Sequence, residues 1–443
     1  MDNDELERAA GQLKSQLRRD VLAAIGTGVM LDLRASGARA ETILPSGAHR
    51  TSGGLKAWSD YVELLKPAGD LIDSTWDSKS EQTRAELYRQ LVMNIAQGYI
   101  WFFQATAEHP DWMPFENSIF MLQPNPDGLY HMAPVDGRGV YRVVGTRGSN
   151  KVMGFAVSPV FFGAEDPRPG FNNYDADGLT IGPGGRFEVI FSTQKPSGWA
   201  GDWRYLHPDA RSLLIRQFSY AWGEEEEARF AIERLDLPAL KPRPTLEDIS
   251  PRLDAVLGNF TRRLSHICLD NQNRTAKRLG FNKMELTSFE SMGNSAEWPQ
   301  RYWCAIYDYA PGEALLLETE LPKVCKYWNV QLNDTLWNQI EFAYRQSSLN
   351  GHQAQLDTDG KFRAVIALED PGVPNWLDSG GFRRGMLVGR WYAADSHPLP
   401  TMTKVPIGEI RKHLPRSTPT VTAAERDQVL RARNIGVQLR KRW

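Results

Sequence analysis

Residues 326–339 read KYWNVQLNDTLWNQ, residues 344–372 read YRQSSLNGHQAQLDTDGKFRAVIALEDPG, and residues 375–392 read NWLDSGGFRRGMLVGRWY. Apolar and polar residues alternate through Tyr327, Trp328, Asn329, Val330, Gln331 and Leu332, again through 362–368, and again through 386–392. A period of two sends successive side chains to opposite faces, so these runs are expected to be half-buried strands. Asp359-Gly360, Asp370-Pro371-Gly372 and Ser379-Gly380-Gly381, which separate them, carry turn chemistry. The stretch predicts an antiparallel β domain with polar, aromatic-rich loops.

Upstream, short strand-like runs at 118–123, 139–145, 152–162 and 186–191 are spaced by Pro124-Asn125-Pro126-Asp127-Gly128, Asp136-Gly137 and Gly182-Pro183-Gly184-Gly185. This texture predicts a second sandwich or barrel of antiparallel strands. Residues 210–221 fit a strand or a helix, and 224–236 read as strand towards their end. Before them, Leu55, Trp58, Tyr61, Leu64 and Leu65, then Leu87, Leu91, Ile95, Tyr99 and Phe102, recur at helical spacing. Ser80 is the expected N-cap of the second of these helices. The expected organisation is a helical N-terminal region at 1–109, a first β domain at 110–237, a proline-rich linker and helical pair at 238–280, a second β domain at 281–397 and a helical tail at 398–443. The fold class is mainly β, with two antiparallel jelly-roll-like domains and helical additions; the two β regions could be distant copies of one fold. A capping box at Thr422 and Glu425 is expected to open a basic terminal helix.

At 443 residues the chain exceeds one ordinary core. A net charge of -2 gives no electrostatic reason to expect nucleic acid or an anionic membrane surface. Three cysteines, Cys268, Cys304 and Cys325, have no CxxC spacing, which argues against a disulfide framework or zinc site and suits a reducing cytoplasm. The N-terminus has no basic region followed by an apolar run, and the apolar stretch 21–31 is too short to span a bilayer. A cytoplasmic protein with no membrane span is the expectation. Fourteen tryptophans supply either core or the walls of a pocket for ring-bearing ligands.

Several of these segments resemble a bacterial family known as domain of unknown function 1214, with its frequent companion, domain of unknown function 1254. The resemblance is carried by Asn125-Pro126-Asp127-Gly128-Leu129-Tyr130 and residues 136–145 in the first β region. In the second it is carried by Tyr327-Trp328-Asn329-Val330, Asp359-Gly360, Asn375-Trp376-Leu377 and Arg390-Trp391-Tyr392. It departs at Gly128, where relatives often have Asn, and in the missing secretion signal. It implies jelly-roll-like domains, a homo-oligomer and a setting near the breakdown of steroids, terpenoids or aromatic compounds, without fixing an activity.

No GxSxG, HExxH, Walker or strand-borne GxGxxG motif is present, so the common catalytic signatures give no lead. The eight histidines are scattered singly, against a cupin-type metal centre, and no metal or cofactor is expected. His131, close to Asp127 and Tyr130, could be a general base or a structural histidine. His352 lies in a loop on a β scaffold, where function tends to reside, and Tyr344 is a nearby candidate. Asp127, His131, Tyr130, His352 and Tyr344 are therefore the catalytic candidates. Arg390, a strand arginine beside Trp391, could pair with a buried carboxylate or bind a substrate anion. With Arg345, Asn329, Asn338, Asn375 and Trp376 it forms the substrate-binding set, alternatives for Asn375 and Trp376 being a turn and a core anchor. The leading expectation is an enzyme of hydrolase or lyase type, working by acid-base chemistry on a bulky apolar small molecule. A non-catalytic binder of the same ligands and an oligomeric assembly protein are the alternatives.

Overall fold

The computed structural model describes residues 55–76, 78–115, 124–160, 168–290, 294–295 and 297–440, all within one compact unit, Gly53–Trp443. The expected strand at 118–123 and the apolar stretch 21–31 lie outside the described residues.

The molecule is mainly β, built from two sandwiches. The first uses β1 (Met113–Phe115), β2 (Gly128–Pro134), β3 (Tyr141–Thr146), β4 (Val152–Ser158), β5 (Asn172–Asp175), β6 (Arg186–Ser192), β7 (Asp202–Tyr205), β8 (Ser212–Phe218) and β9 (Arg229–Arg234). The second uses β10 (Glu285–Ser288), β11 (Gln300–Asp308), β12 (Glu313–Thr319), β13 (Cys325–Asn333), β14 (Ser348–Asn350), β15 (Phe362–Ala367), β16 (Trp376–Asp378), β17 (Arg384–Ala394) and β18 (Thr401–Pro406). The sheet orders are β1-β2-β8-β4-β5 and β7-β6-β3-β9 in the first, β10-β11-β17-β13-β14 and β16-β15-β12-β18 in the second. Adding nine to each strand number of the first sandwich gives the second. Even the departure from antiparallel pairing recurs, since β6–β7 and β15–β16 are both parallel. The two domains are copies of one topology.

Each sandwich has its own core. Tyr141, Val143, Phe155, Val189, Phe191, Leu213 and Ile215 fill the first, and Trp303, Leu315, Leu317, Val330, Leu332, Phe362 and Trp391 the second. The five-stranded sheets then meet each other. Val152 and Phe218 from the first pack with Tyr302, Ile306, Tyr327, Val388 and Tyr392 from the second. On β13, Trp328, Val330 and Leu332 enter the second core while Tyr327, Asn329, Gln331 and Asn333 point at the first sandwich. All four of these outward side chains are 0% exposed. The alternation predicted a strand with one face in water. That face is instead covered by the other domain, because a sheet-on-sheet contact hides both faces of the strands it involves.

Helices close the open side of the seam. α1 (Trp58–Leu65) leads through a 3-10 helix (Lys66–Asp70) and a single helical turn (Leu71–Ser74) to α2 (Glu81–Tyr99), where the Ser80 hydroxyl accepts from the Thr83 amide, as the sequence predicts. The buried face of α2 is not the predicted Leu91, Ile95 and Tyr99 line: Tyr99 is 63% exposed, and Gln90, Asn94 and Gln97 face inward with Leu87. Asn94 donates to the Thr261 carbonyl and to Ser265 Oγ, both at 2.7 Å, so helix pairing through amides outweighs the apolar stripe. A Cβ on Gly98 would stand 2.5 Å from Val256 Cγ1, so glycine sets how closely these helices approach.

The linker is shorter than its prolines suggest. A capping box at Thr245 and Asp248 starts α3 (Leu246–Ala255), which takes Pro251 into its interior and runs through a π-turn at Val256–Phe260 into α4 (Thr261–Leu279). The expected helical pair is one continuous run. Likewise the tail beyond 398 begins with strand, since β18 pairs with β12. The terminal helix, α5 (Ala423–Leu439), has the expected capping box, Thr422 with Glu425. Among the described residues, no helix is long and apolar enough to cross a membrane.

Candidate functional site

The polar face of β13 meets the turn before β2. Asn125 and Asp127 are 0% and 2% exposed, and the Asn125 side chain accepts from the Asp127 amide at 3.0 Å, an Asx turn that fixes both side chains. Tyr327 Oη donates to Asp127 Oδ2 at 2.7 Å and accepts from Asn125 Nδ2 at 2.7 Å. Asn329 Nδ2 donates to Asn125 Oδ1 at 2.8 Å, and its own Oδ1 accepts from Arg390 Nη1 at 3.2 Å. The same guanidinium nitrogen donates to Gln331 Oε1 at 2.6 Å, and Gln331 Nε2 reaches the Pro124 carbonyl at 2.8 Å. A hydrogen-bonded line thus runs from the Asp127 carboxylate through Tyr327, Asn125 and Asn329 to Arg390. It crosses from one sandwich to the other.

Asp127 accepts from two more donors, Trp222 Nε1 at 2.8 Å and Asn350 Nδ2 at 2.5 Å. Burial raises its carboxyl pKa above the ordinary value, against the pull of Tyr327, Asn350, Arg440 and Trp222. Desolvation, with Asp127 alongside, drives the Tyr327 phenol well above its ordinary value. Arg390 is 2% exposed, and among the described residues no carboxylate lies within ion-pair distance of it. Burial works against its charge, but Tyr302, Tyr130 and Tyr327 more than offset this and keep its pKa above the usual value. The Arg390 guanidinium lies 5.4 Å over the Tyr302 ring. Its place has a counterpart in the other copy: Arg390 pairs in register with Tyr302, as Arg216 of β8 pairs with Tyr130 of β2. Trp337 closes this region with a left-handed backbone (φ 68°), unusual for a bulky residue, and its Nε1 donates to Met386 Sδ.

Of the residues expected from sequence, the structure brings together Asp127, Tyr130, Asn329 and Arg390. The others stand elsewhere. His131 points to the opposite side of β2 from Tyr130, its ring 5.1 Å from that of Phe230, and its buried Nδ1 has no hydrogen-bond partner among the described residues. Burial lowers its pKa to about 4, so it is neutral near pH 7, and among the described residues no carboxylate orients it. His352 is exposed in the turn after β14, and Tyr344 is 63% exposed; neither joins Asp127. Arg345 forms a half-exposed ion pair with Asp378 at 2.8 Å. Asn338 bonds to Asp334 and to Gln90 of α2, tying a loop to the helical layer. Asn375 bridges the Gln355 and Arg363 carbonyls, and Trp376 is a core anchor whose Nε1 donates to the Ala367 carbonyl at 3.1 Å.

Sequence reasoning missed Asn125, Tyr327, Gln331, Tyr302, Trp222 and Asn350 as site members. One signal was available: Asn329, Gln331 and Asn333 put amides at three successive same-face positions of a strand, where a solvated face more often carries Thr, Lys or Glu. Among the described residues, no group of three or more His, Cys, Asp or Glu could hold a metal ion.

No protein-family model and no curated protein matches the chain. Among solved structures it is similar to an uncharacterized protein from Burkholderia cenocepacia, with 26% identity, a TM-score of 0.70, and coverage of 79% of this chain and 97% of that one. The VPA0106 protein from Vibrio parahaemolyticus aligns at 12% identity over 77% of this chain and 100% of its own, with a TM-score of 0.42. A salicylate 1,2-dioxygenase from Pseudaminobacter salicylatoxidans aligns at 8% identity over 88% and 94%, with a TM-score of 0.16. The last two likenesses are too weak to carry an argument. The first extends over nearly the whole of its relative and supports the two-sandwich fold.

Proposed function

We propose that this chain is an enzyme of hydrolase or lyase type whose reacting centre is the seam around Arg390. The observation that carries the reading is a fully buried guanidinium with no carboxylate beside it among the described residues and three phenols around it. The guanidinium is held by neutral acceptors, Asn329 Oδ1 and Gln331 Oε1, so a ligand that supplies a negative charge is the partner it lacks. Arg390 and Tyr302 would receive an oxygen on which charge develops, the role of preorganised donors in a dry site. Tyr327 would take a substrate proton at Oη as its own proton passes to Asp127 Oδ2, whose carboxyl is already raised towards accepting it.

The rings of Tyr130, Phe115 and Phe218 pack edge to face beside this group, which suits a bulky apolar substrate of steroid, terpenoid or aryl type. Membership of the domain of unknown function 1214 family, a homo-oligomeric state and a cytoplasmic location belong to the same proposal. The last is supported by three free cysteines, Cys268, Cys304 and Cys325.

Binding without turnover is the second reading, favoured by the absence of His131 and His352 from the seam. Incubation with a steroid, terpenoid and aryl panel, followed by mass spectrometry, separates the two. Product from wild type that is lost in Tyr327→Phe and Arg390→Met supports the enzyme. Ligand recovered unchanged supports the binder, and product formed equally by both variants overturns the assignment of the centre.

A further inference from the structure

α2 is amphipathic in the inverted sense. Gln90, Asn94 and Gln97 are buried, while Tyr88, Val92, Ile95 and Tyr99 follow one another along the opposite face at spacings of four, three and four residues. That spacing is the seam of a helix that pairs with another helix. Tyr88, Val92 and Tyr99 are 54%, 66% and 63% exposed, so within one chain the seam is open. Phe103, in the π-turn that follows (Ile100–Gln104), extends the line, its ring stacked on that of Tyr99 with 6.2 Å between centroids and 8° between planes. Leu240, 87% exposed, stands at the same end, where Lys241 Nζ donates to the Gln104 carbonyl at 3.5 Å. No charged residue occurs from Gln90 to Ala107. Contiguous exposed apolar area of this kind marks an interaction surface.

The charges at its two ends select the occupant. Glu81 and Arg84 lie on the outer face at the start of α2, and Glu108 and Lys241 lie beyond its far end. Among the described residues none of the four is in an ion pair. A second copy laid antiparallel brings Glu81 towards Lys241 and Arg84 towards Glu108, opposite signs at both ends, and opposes the two helix dipoles. A parallel pair would set like charges together. Exposed Ala96, near the midpoint of the stripe, is small enough for the two helices to approach closely. A lipid surface fits less well, because interfacial helices carry Lys and Arg on their polar face, whereas α2 turns neutral amides into the protein.

We propose that the outer face of α2 is a homodimer interface, with two copies antiparallel about a two-fold axis near Ala96, Tyr88 and Val92 of one packing on Phe103 and Tyr99 of the other. The proposal rests on the homo-oligomeric state inferred above and names its surface; it is independent of the chemistry assigned to Arg390.

Sedimentation velocity of the full chain should show a dimer that dissociates on dilution, and Val92→Glu, at an exposed position, should weaken the dimer about 30-fold or more, as loss of a central contact does. A short bismaleimide should link Ala96→Cys to its own copy but not Ala85→Cys, whose two copies antiparallel pairing holds about 30 Å apart; wild type controls for the native cysteines. A wild type that stays monomeric up to about 100 μM, well above the Kd of a stable interface, would overturn both the surface and the homo-oligomeric state. An oligomer that survives Val92→Glu, or that links through Ala85→Cys as readily as through Ala96→Cys, would overturn the surface alone. A monomer that floats with phosphatidylcholine vesicles, and no longer does so as Val92→Glu, would overturn the dimer in favour of a lipid surface.

Discussion

Tyr327 Oη donates to Asp127 Oδ2 at 2.7 Å, and the two residues belong to different sandwiches, 200 positions apart in the chain. Both side chains are sealed from solvent, so the bond is one of the ties that fix how the two copies of the fold meet. It also stands at the end of the hydrogen-bonded line that reaches Arg390.

Tyr327→Phe should destabilise the protein by about 2 kcal/mol, because Asn125 Nδ2 loses an acceptor and Asp127 a donor in a place water does not reach. Asp127→Asn should cost a similar amount or more, with Trp222 Nε1 and Asn350 Nδ2 facing an amide. Since the substitutions break one shared bond, a double-mutant cycle in urea should give a coupling of about 1–2 kcal/mol. Strict additivity would mean that the bond does not couple the domains.

His131 makes stability depend on pH. Its folded pKa, lowered by burial to about 4, lies below the unfolded value of about 6.5, so below pH 6.5 the unfolded chain binds the proton the native state refuses. The native state is therefore most favoured above pH 6.5, loses stability as pH falls towards 4, and levels off below that. The loss is about 2 kcal/mol at pH 5 relative to pH 8. His131→Phe, which also removes the unpartnered Nδ1, should be at least as stable as wild type at pH 5. Urea melts of both proteins at the two pH values measure the difference, and parallel behaviour would remove His131 as the cause.

Arg440→Met should be far more costly than an ordinary substitution near a chain end. Arg440 pairs with Glu227 at 2.5 Å and donates to the Pro126 and Asp127 carbonyls, and both charged side chains are nearly buried. Leaving Glu227 buried alone is expected to cost about 3–5 kcal/mol. Hydrogen exchange should rise in the turn at 124–128 specifically. An unchanged midpoint with unchanged exchange would show that α5 does not brace the site.

Gly154→Ala should push Trp298 from its seat, because the added carbon would fall 2.3 Å from the indole ring and 2.9 Å from the Tyr174 carbonyl. Overpacking of this kind costs about 1–3 kcal/mol. A denaturation midpoint equal to wild type would mean that the seam yields at this point.

Much of this protein can be read along the chain. Alternation at 362–368 and 386–392 sufficed for β15 and β17, and the Ser80 and Thr422 caps mark real helix starts, because strand period and capping are local physics. The same locality explains the failures. Helical spacing cannot say that Asn94 faces inward, since that depends on Thr261 and Ser265 of another helix. The sequence marks the C-terminal segment as a capped, basic helix without saying what its arginines meet: Arg426, Arg433 and Arg440 recur every seven residues and all bury against groups contributed from elsewhere, Asp370 for the first, the Phe342 carbonyl and Ser348 for the second, Glu227 for the third.

The sequence by itself determined that the stretch 326–392 is strand and turn, and that Asn329 shares a face with Gln331 and Asn333. Only the tertiary structure decided what that face meets. Period two says that two faces differ, but not whether the polar one looks at water or at a second sheet. Docking against the first sandwich turned a face that would have been solvated into a buried network, and put Asp127 and Arg390 at its two ends. His131 is the converse case: one step along β2 from Tyr130, it was sent to the other side of the sheet by the same pleat.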